Sequence, residues 1–117
     1  MKSYVFDSYT MIAFFEDEPG AEQVAHILDL LVHKEAQASM SIINWGEIYY
    51  STMRVQGIEQ AEKAIKQVSK YPIRLVVADK SLTVEAARLK GKYKIAYADC
   101  FAAALSEVQS SCDHWKP

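Results

Sequence analysis

The chain has 117 residues, 50% of them hydrophobic, with four glycines and three prolines, which predicts one globular domain over residues 1–117 rather than a tail or linker. Thirteen basic and fifteen acidic residues give a net charge of -2, which excludes a global positive field that would attract nucleic acid. Two cysteines without a C-x-x-C pair, no signal-peptide core and no run of about 20 apolar residues indicate a cytoplasmic protein without a membrane partner.

The first half of the chain predicts two strands and three helices. An apolar run stops at Asp7, as a buried strand does where it meets a turn, and apolar residues then recur at helical spacing after Gly20. The predicted elements are a strand at residues 2–6, helices at Ser8–Phe15 and Ala21–His33, a strand at Ala38–Ile42, and a helix from Asn44 to about Val55.

The second half predicts one strand and three helices. Gly57 breaks the third helix, and Pro72 ends the fourth because proline disfavours helical geometry in the residue before it. The predicted elements are a helix at Ile58–Ser69, a strand at Ile73–Val77, a helix at Leu82–Lys90, a basic loop at residues 92–94, and a last helix at about Ala98–Glu107.

Strands that alternate with helices predict parallel pairing through right-handed crossovers, and hence an α/β sandwich around a small sheet. In such sheets the loops at the carboxyl ends of the strands form one crevice, where ligands bind. Asp7 and Glu47 follow the first and second predicted strands. We therefore expect these two carboxylates to lie close together.

Three acidic residues, Asp7, Glu47 and Asp99, are candidate site residues, although each also has a structural interpretation. Asp7 is placed to cap the helix that follows it, and Asp99 lies in the first turn of another. Asn44 and Glu47 have the N-x-x-E spacing of a capping box, in which side chains bond to free backbone groups.

The combination favours a metal site, because three carboxylates in one crevice repel each other unless a cation neutralises them. Such hard oxygen ligands suit magnesium or manganese rather than zinc. The histidines do not offer a competing zinc site, since His26 and His33 lie seven residues apart on one predicted helix and His114 is in the tail.

Three segments of the chain closely resemble three consecutive motifs of PIN domains, particularly the VapC-type toxins of prokaryotic toxin–antitoxin pairs. The segments are V-F-D-S-Y-T-M-I-A-F-F-E-D-E-P-G-A, S-I-I-N-W-G-E-I-Y-Y and Y-A-D-C-F-A-A-A-L. The resemblance covers residues 1 to about 106. It implies a PIN-like three-layer α/β sandwich with a small, mostly parallel sheet flanked by helices.

The same resemblance implies a cytoplasmic endoribonuclease that binds one or two divalent ions, Mg2+ or Mn2+, dimerises, and is held by a cognate antitoxin protein. By position, Asp7, Glu47 and Asp99 take the first three acidic places of the family's metal-binding and catalytic site. Ser8 and Asn44 take the polar places that hold those acids.

Basic residues near these motifs are candidates for contacts with the RNA backbone. The alternative is that these side chains are simply solvated on exposed helix faces, as is usual for charged residues. The candidates are Arg54, Arg88, Lys90, Lys92 and Lys94.

The carboxyl-terminal segment departs from the resemblance. The family continues into another strand with a T-G-D or T-G-N motif that supplies the fourth acidic or amide position, whereas this chain ends S-E-V-Q-S-S-C-D-H-W-K-P. Codons permitted for residues 107–117, read one nucleotide later, can spell K-F-K-A-A-A-T-T-G-[N or S]-P, so we hypothesise a frameshifted ending. Asp113 is the candidate replacement for the fourth ligand.

Three other classes of protein are alternatives, and the sequence argues against the last two of them. The altered ending favours a PIN-fold module that binds antitoxin or RNA with little or no cleavage. A haloacid-dehalogenase-type phosphatase requires a second aspartate two residues after the first, where this chain has Tyr9. A two-component receiver requires a phosphorylatable aspartate at the end of a middle strand, which the sequence lacks.

Overall fold

A computed structural model describes the backbone of residues 1–115 and the side chains of residues 1–109. Within that range the chain forms three strands and six helices. The elements are β1 (Lys2–Phe6), α1 (Ser8–Phe15), α2 (Ala21–Val32), β2 (Ala36–Ser41), α3 (Ile42–Gln56), α4 (Ile58–Ser69), β3 (Ile73–Val76), α5 (Lys80–Lys92) and α6 (Tyr97–Trp115). Among these, no helix has the length and apolar character needed to cross a bilayer.

The three described strands form one parallel sheet in the order β1-β2-β3, with β2 in the middle. Phe6 is in register with Met40, and Met40 with Leu75. Each crossover contains two helices, α1 and α2 or α3 and α4. The predicted parallel α/β arrangement is therefore confirmed, and the carboxyl ends of the strands lie along one edge.

Alternate strand residues pack on opposite faces of the sheet, which produces two cores and three layers. On one face Phe6, Ala38 and Met40 join the buried residues of α1 to α4. On the other face Val5 and Val76 pack against the buried residues of α5 and α6. This is the predicted sandwich of a small sheet flanked by helices.

The start of α3 differs from the prediction. β2 ends at Ser41 rather than Ile42, and Ser41 caps α3 with an extended backbone and a side-chain Oγ that accepts from the Ile43 backbone N–H at 3.1 Å. Asn44 is therefore already inside the helix, and the predicted Asn44–Glu47 capping box is wrong. The serine provides the cap that the pattern assigned to the asparagine.

The last two helices are longer than predicted. Asp79 caps α5 by accepting from the Leu82 N–H at 2.8 Å, so the helix starts at Lys80 and continues through Lys92. The predicted basic loop is thus partly helical. α6 continues beyond Glu107 to Trp115, in a stretch without glycine or proline to end it. Asp113 lies in this stretch, and its side chain is outside the described set.

Candidate functional site

Asp7 directly follows β1 and caps α1. Its Oδ1 accepts hydrogen bonds from the Thr10 backbone N–H and the Thr10 Oγ1, both at 2.8 Å. The structural interpretation of Asp7 is therefore correct for one of its oxygens. Because both bonds use Oδ1, capping leaves Oδ2 for another ligand at the carboxyl edge of the sheet.

Glu47 lies in the second turn of α3 and is half-buried. The Ser8 Oγ, from α1, donates a hydrogen bond to its Oε1. The Tyr50 hydroxyl donates to its Oε2 at 3.2 Å. The carboxylate is thus held by two hydroxyl groups from two helices and does not cap a helix.

Asp99 is in the first turn of α6. Partial burial of the carboxyl group raises its pKa above the ordinary value, and the negative charges of Glu47 and Asp7 raise that pKa further. Asp7 and Glu47 therefore lie near enough to Asp99 to act on its carboxyl group electrostatically.

Asn44 links two of the helices that carry these acids. It is fully buried, and its Nδ2 donates to the backbone carbonyl oxygen of Ala98 at 3.0 Å. Ala98 precedes Asp99, whereas Asn44 lies one turn before Glu47 on α3. Asn44 therefore bridges the helix that carries Glu47 and the helix that carries Asp99.

The three acids suit a hard divalent cation by the chemistry of their oxygen atoms. The two ion pairs found among the described side chains, His33–Asp29 and Arg88–Glu85, do not involve them. Among the described residues, however, no three acidic, histidine or cysteine groups converge closely enough to form a ready metal site. The three carboxylates are thus near one another without meeting at one point.

A family model described as PIN domain matches residues 4–111. The chain belongs to the PIN domain family. A comparison with curated proteins finds no significant match.

Solved structures similar to this PIN domain come from toxin–antitoxin systems. VapC20 of Mycobacterium tuberculosis, described as a toxin that cleaves the sarcin–ricin loop, has a TM-score of 0.70 and 14% identity, over 93% of this chain and 84% of that one. VapBC2 of Rickettsia felis, bound to a promoter DNA fragment, has a TM-score of 0.66 and 16% identity, over 87% and 77%. A toxin–antitoxin complex from Klebsiella pneumoniae has a TM-score of 0.62 and 14% identity, over 94% and 81%. These matches show the same fold.

Arg54 is the basic candidate with the clearest relation to the acids of this PIN domain. It is exposed in the last turn of α3, and its positive charge acts to lower the pKa of Tyr50, against the stronger raising effect of Glu47. Residues four apart are neighbours on a helix surface. Arg54 and Tyr50 therefore lie on the face of α3 that carries Glu47.

The other basic candidates lie on α5 and in the connection to α6. The Arg88 guanidinium pairs with Glu85, and the Lys90 Nζ donates to the backbone carbonyl oxygen of Ile95 at 2.7 Å. Lys92 and Lys94 are exposed shortly before the helix that begins with Tyr97 and carries Asp99. The four differ in how readily they could contact RNA, since Arg88 and Lys90 already bond to groups within the protein.

The sequence did not predict that two residues, Thr10 and Tyr50, bond to the acids of this site. Each lies three residues after an acid and bonds to it, Thr10 to Asp7 and Tyr50 to Glu47. The D-x-x-T spacing at a helix start and the i, i+3 spacing within a helix are local signals that could have identified both.

Proposed function

We propose that this PIN domain is a divalent-metal-dependent endoribonuclease and the toxin component of a toxin–antitoxin pair. The observation that supports the proposal is that Asp7 follows β1, that Ser8 beside it bonds to Glu47, and that Asp99 is near both, so that partial burial and the charges of Glu47 and Asp7 raise its pKa. Such crowding of like charges costs free energy unless a cation occupies the crevice. Family membership directs the interpretation toward nuclease chemistry.

In this proposal Asp7, Glu47 and Asp99 would hold Mg2+ or Mn2+. When bound, the cation supplies Lewis-acid chemistry toward a phosphodiester by activating water and offsetting charge on the leaving oxygen. Ser8 holds Glu47 through Oε1, and Asn44 holds the first turn of α6 through Ala98. The polar residues thereby keep the acids near their working positions.

The RNA backbone would approach over basic residues beside this crevice. The net charge of -2 gives no overall attraction for RNA, so individual cations must supply it. Arg54 is the first choice because it shares the face of α3 with Glu47 and Tyr50. Lys92 and Lys94 are the next, and Arg88 contributes less because Glu85 already offsets its charge.

The proposed partner is a cognate antitoxin protein, and the proposed assembly is a homodimer. One of the similar structures, from Klebsiella pneumoniae, is described as a toxin–antitoxin complex, and the Rickettsia felis structure is described as VapBC2. An RNA substrate also implies a cytoplasmic location. Co-expression of the chain with its gene neighbour tests the partner, because a stable complex and relief of growth arrest are the expected results.

A catalytically impaired PIN module that binds antitoxin or RNA is the second candidate. One observation favours it: the described carboxylates do not converge on a single point. The predicted fourth ligand, Asp113, does not complete this site, because it lies 14 residues after Asp99 on the same helix, about 21 Å along its axis. The two functions make opposite predictions for metal binding and cleavage.

Comparing Asp7→Asn with Asp79→Asn tests the proposed function. Both aspartates cap a helix that follows a strand, and asparagine retains capping ability, but only Asp7 affects Asp99 electrostatically. We expect Asp7→Asn to abolish Mn2+ uptake in calorimetry and cleavage of labelled single-stranded RNA, and Asp79→Asn to preserve both. If wild-type protein binds no Mn2+, or if Asp7→Asn binds it as tightly as wild type, the result would instead support the impaired module.

A further inference from the structure

Two adjacent tyrosines on α3 each donate a hydrogen bond to a glutamate. The Tyr49 hydroxyl bonds to Glu62 Oε1 on α4 at 2.9 Å, which joins two neighbouring helices. The Tyr50 hydroxyl bonds to Glu47 Oε2 at 3.2 Å, within the candidate site. The two side chains thus make the same kind of contact in different places.

The Tyr50 contact completes a two-sided hold on Glu47. Ser8 donates to Oε1 from α1, and Tyr50 donates to Oε2 from one turn further along α3. The terminal torsion of a glutamate is broad, so a free carboxylate samples many orientations. Donors on both oxygens restrict that rotation and set the plane of the carboxylate.

We propose that Tyr50 is a positioning residue for Glu47, and that its hydroxyl orients the carboxylate for a divalent cation. The inference rests on the proposed function, in which Glu47 is a metal ligand. Ligating carboxylates are themselves hydrogen-bonded in metal sites, and these outer partners tune metal affinity. Tyr50 supplies such a partner from one turn after Glu47 on α3.

The hydroxyl, rather than the ring, carries this role. Tyr50 is 45% exposed, so its ring is not a fully buried core element. An exposed ring could instead stack on an RNA base. The two roles separate cleanly, because phenylalanine keeps the ring and removes the hydrogen bond.

The experiment compares Tyr50→Phe with its neighbour Tyr49→Phe in the full chain. Isothermal titration with Mn2+ alone should show affinity weakened about three- to tenfold in Tyr50→Phe, somewhat less than is common for buried outer partners. Tyr49→Phe should remain within about twofold of wild type, because Glu62 is outside the site. At saturating Mn2+ the KM of Tyr50→Phe for single-stranded RNA should equal that of wild type.

Each contrary result has a distinct meaning. If Mn2+ binding depends on Asp7 but is as tight in Tyr50→Phe as in wild type, the inference on Tyr50 is wrong and the proposed function stands. The same conclusion follows if Tyr49→Phe loses as much Mn2+ affinity as Tyr50→Phe. A raised RNA KM with unchanged Mn2+ affinity also overturns the inference, because the hydroxyl would then act on the RNA. Wild-type protein that binds no Mn2+ overturns the proposed function, and this inference with it. Circular dichroism verifies that both variants are folded.

Discussion

Asn44 on α3 donates a hydrogen bond from Nδ2 to the carbonyl oxygen of Ala98 on α6, 3.0 Å away and 54 residues along the chain. The bond joins the helix of Glu47 to the first turn of the helix that carries Asp99. Asn44 is fully buried, and its Oδ1 has no partner among the described atoms. Asn44 thus forms the bridge to Ala98 while its own Oδ1 has no hydrogen bond within the described part of the protein.

Replacing Asn44 with alanine should destabilise the protein and also weaken the proposed metal site. The Ala98 carbonyl loses its donor and a small cavity remains, which should lower the free energy of unfolding by about 1–3 kcal/mol. Mn2+ affinity should fall because the first turn of α6 is no longer held against α3. Urea unfolding and calorimetry measure the two effects. A stability change below about 0.5 kcal/mol would show that the bridge is unimportant.

Ser8→Ala should affect Mn2+ binding more than stability. Ser8 is buried on α1, and alanine is a good helix former, so the stability change should stay within about 1 kcal/mol. Loss of the Oγ donor frees Glu47 Oε1, and Mn2+ affinity should fall several-fold. Ser69→Ala is the matched control, since the Ser69 Oγ bonds to the Lys66 carbonyl oxygen at an exposed helix end. Equal Mn2+ affinity in both variants would contradict the role of Ser8.

Much of the fold could be predicted because its signals are local. The apolar run that stops at Asp7 defined β1, and Gly57 and Pro72 bracketed α4, so these bounds agree with the structure. Alternation of strands and helices predicted the parallel sheet. The same alternation placed Asp7 and Glu47 at one edge, where the structure has them.

The remaining features depend on competition between caps and on contacts between distant segments. The N-x-x-E pattern at Asn44 resembled a capping box, but Ser41, at the end of β2, caps the helix first. No local pattern shows that Asn44 faces Ala98, because that contact depends on how α3 and α6 pack. The hold of Ser8 on Glu47 likewise joins residues 39 positions apart.

Arg54→Ala should weaken RNA binding without slowing the chemical step. Arg54 shares a helix face with Glu47, so its loss should raise the KM for single-stranded RNA and leave kcat nearly unchanged. The slope of log KM against log salt should fall by about 0.7–1 over about 50–200 mM KCl, as for one lost phosphate contact. Arg88→Ala should have a smaller effect, because Glu85 offsets its charge. An unchanged salt slope in Arg54→Ala would exclude a phosphate contact.

Asp99→Asn should stabilise the metal-free protein at neutral pH. The folded protein raises the pKa of Asp99, so it holds the proton more tightly than the unfolded chain, where an aspartate titrates near about 3.9. The free energy of unfolding therefore falls as pH rises from the unfolded pKa through the raised folded pKa. Above that window the ionised carboxylate costs stability, by no more than about 1 kcal/mol because the residue is exposed.

Thermal unfolding in EDTA should show this as a Tm difference between Asp99→Asn and wild type that grows as the pH rises above about 4, the ordinary pKa of an unfolded aspartate. Saturating Mn2+ should make wild type the more stable protein, because a ligand at about 100 times its Kd stabilises the folded state by about 2.7 kcal/mol and the variant lacks a proposed carboxylate ligand. Asp79→Asn should show neither effect. If the Tm difference does not change with pH, Asp7 and Glu47 do not repel Asp99. If Mn2+ raises the Tm of wild type and of Asp99→Asn by the same amount, Asp99 is not a ligand.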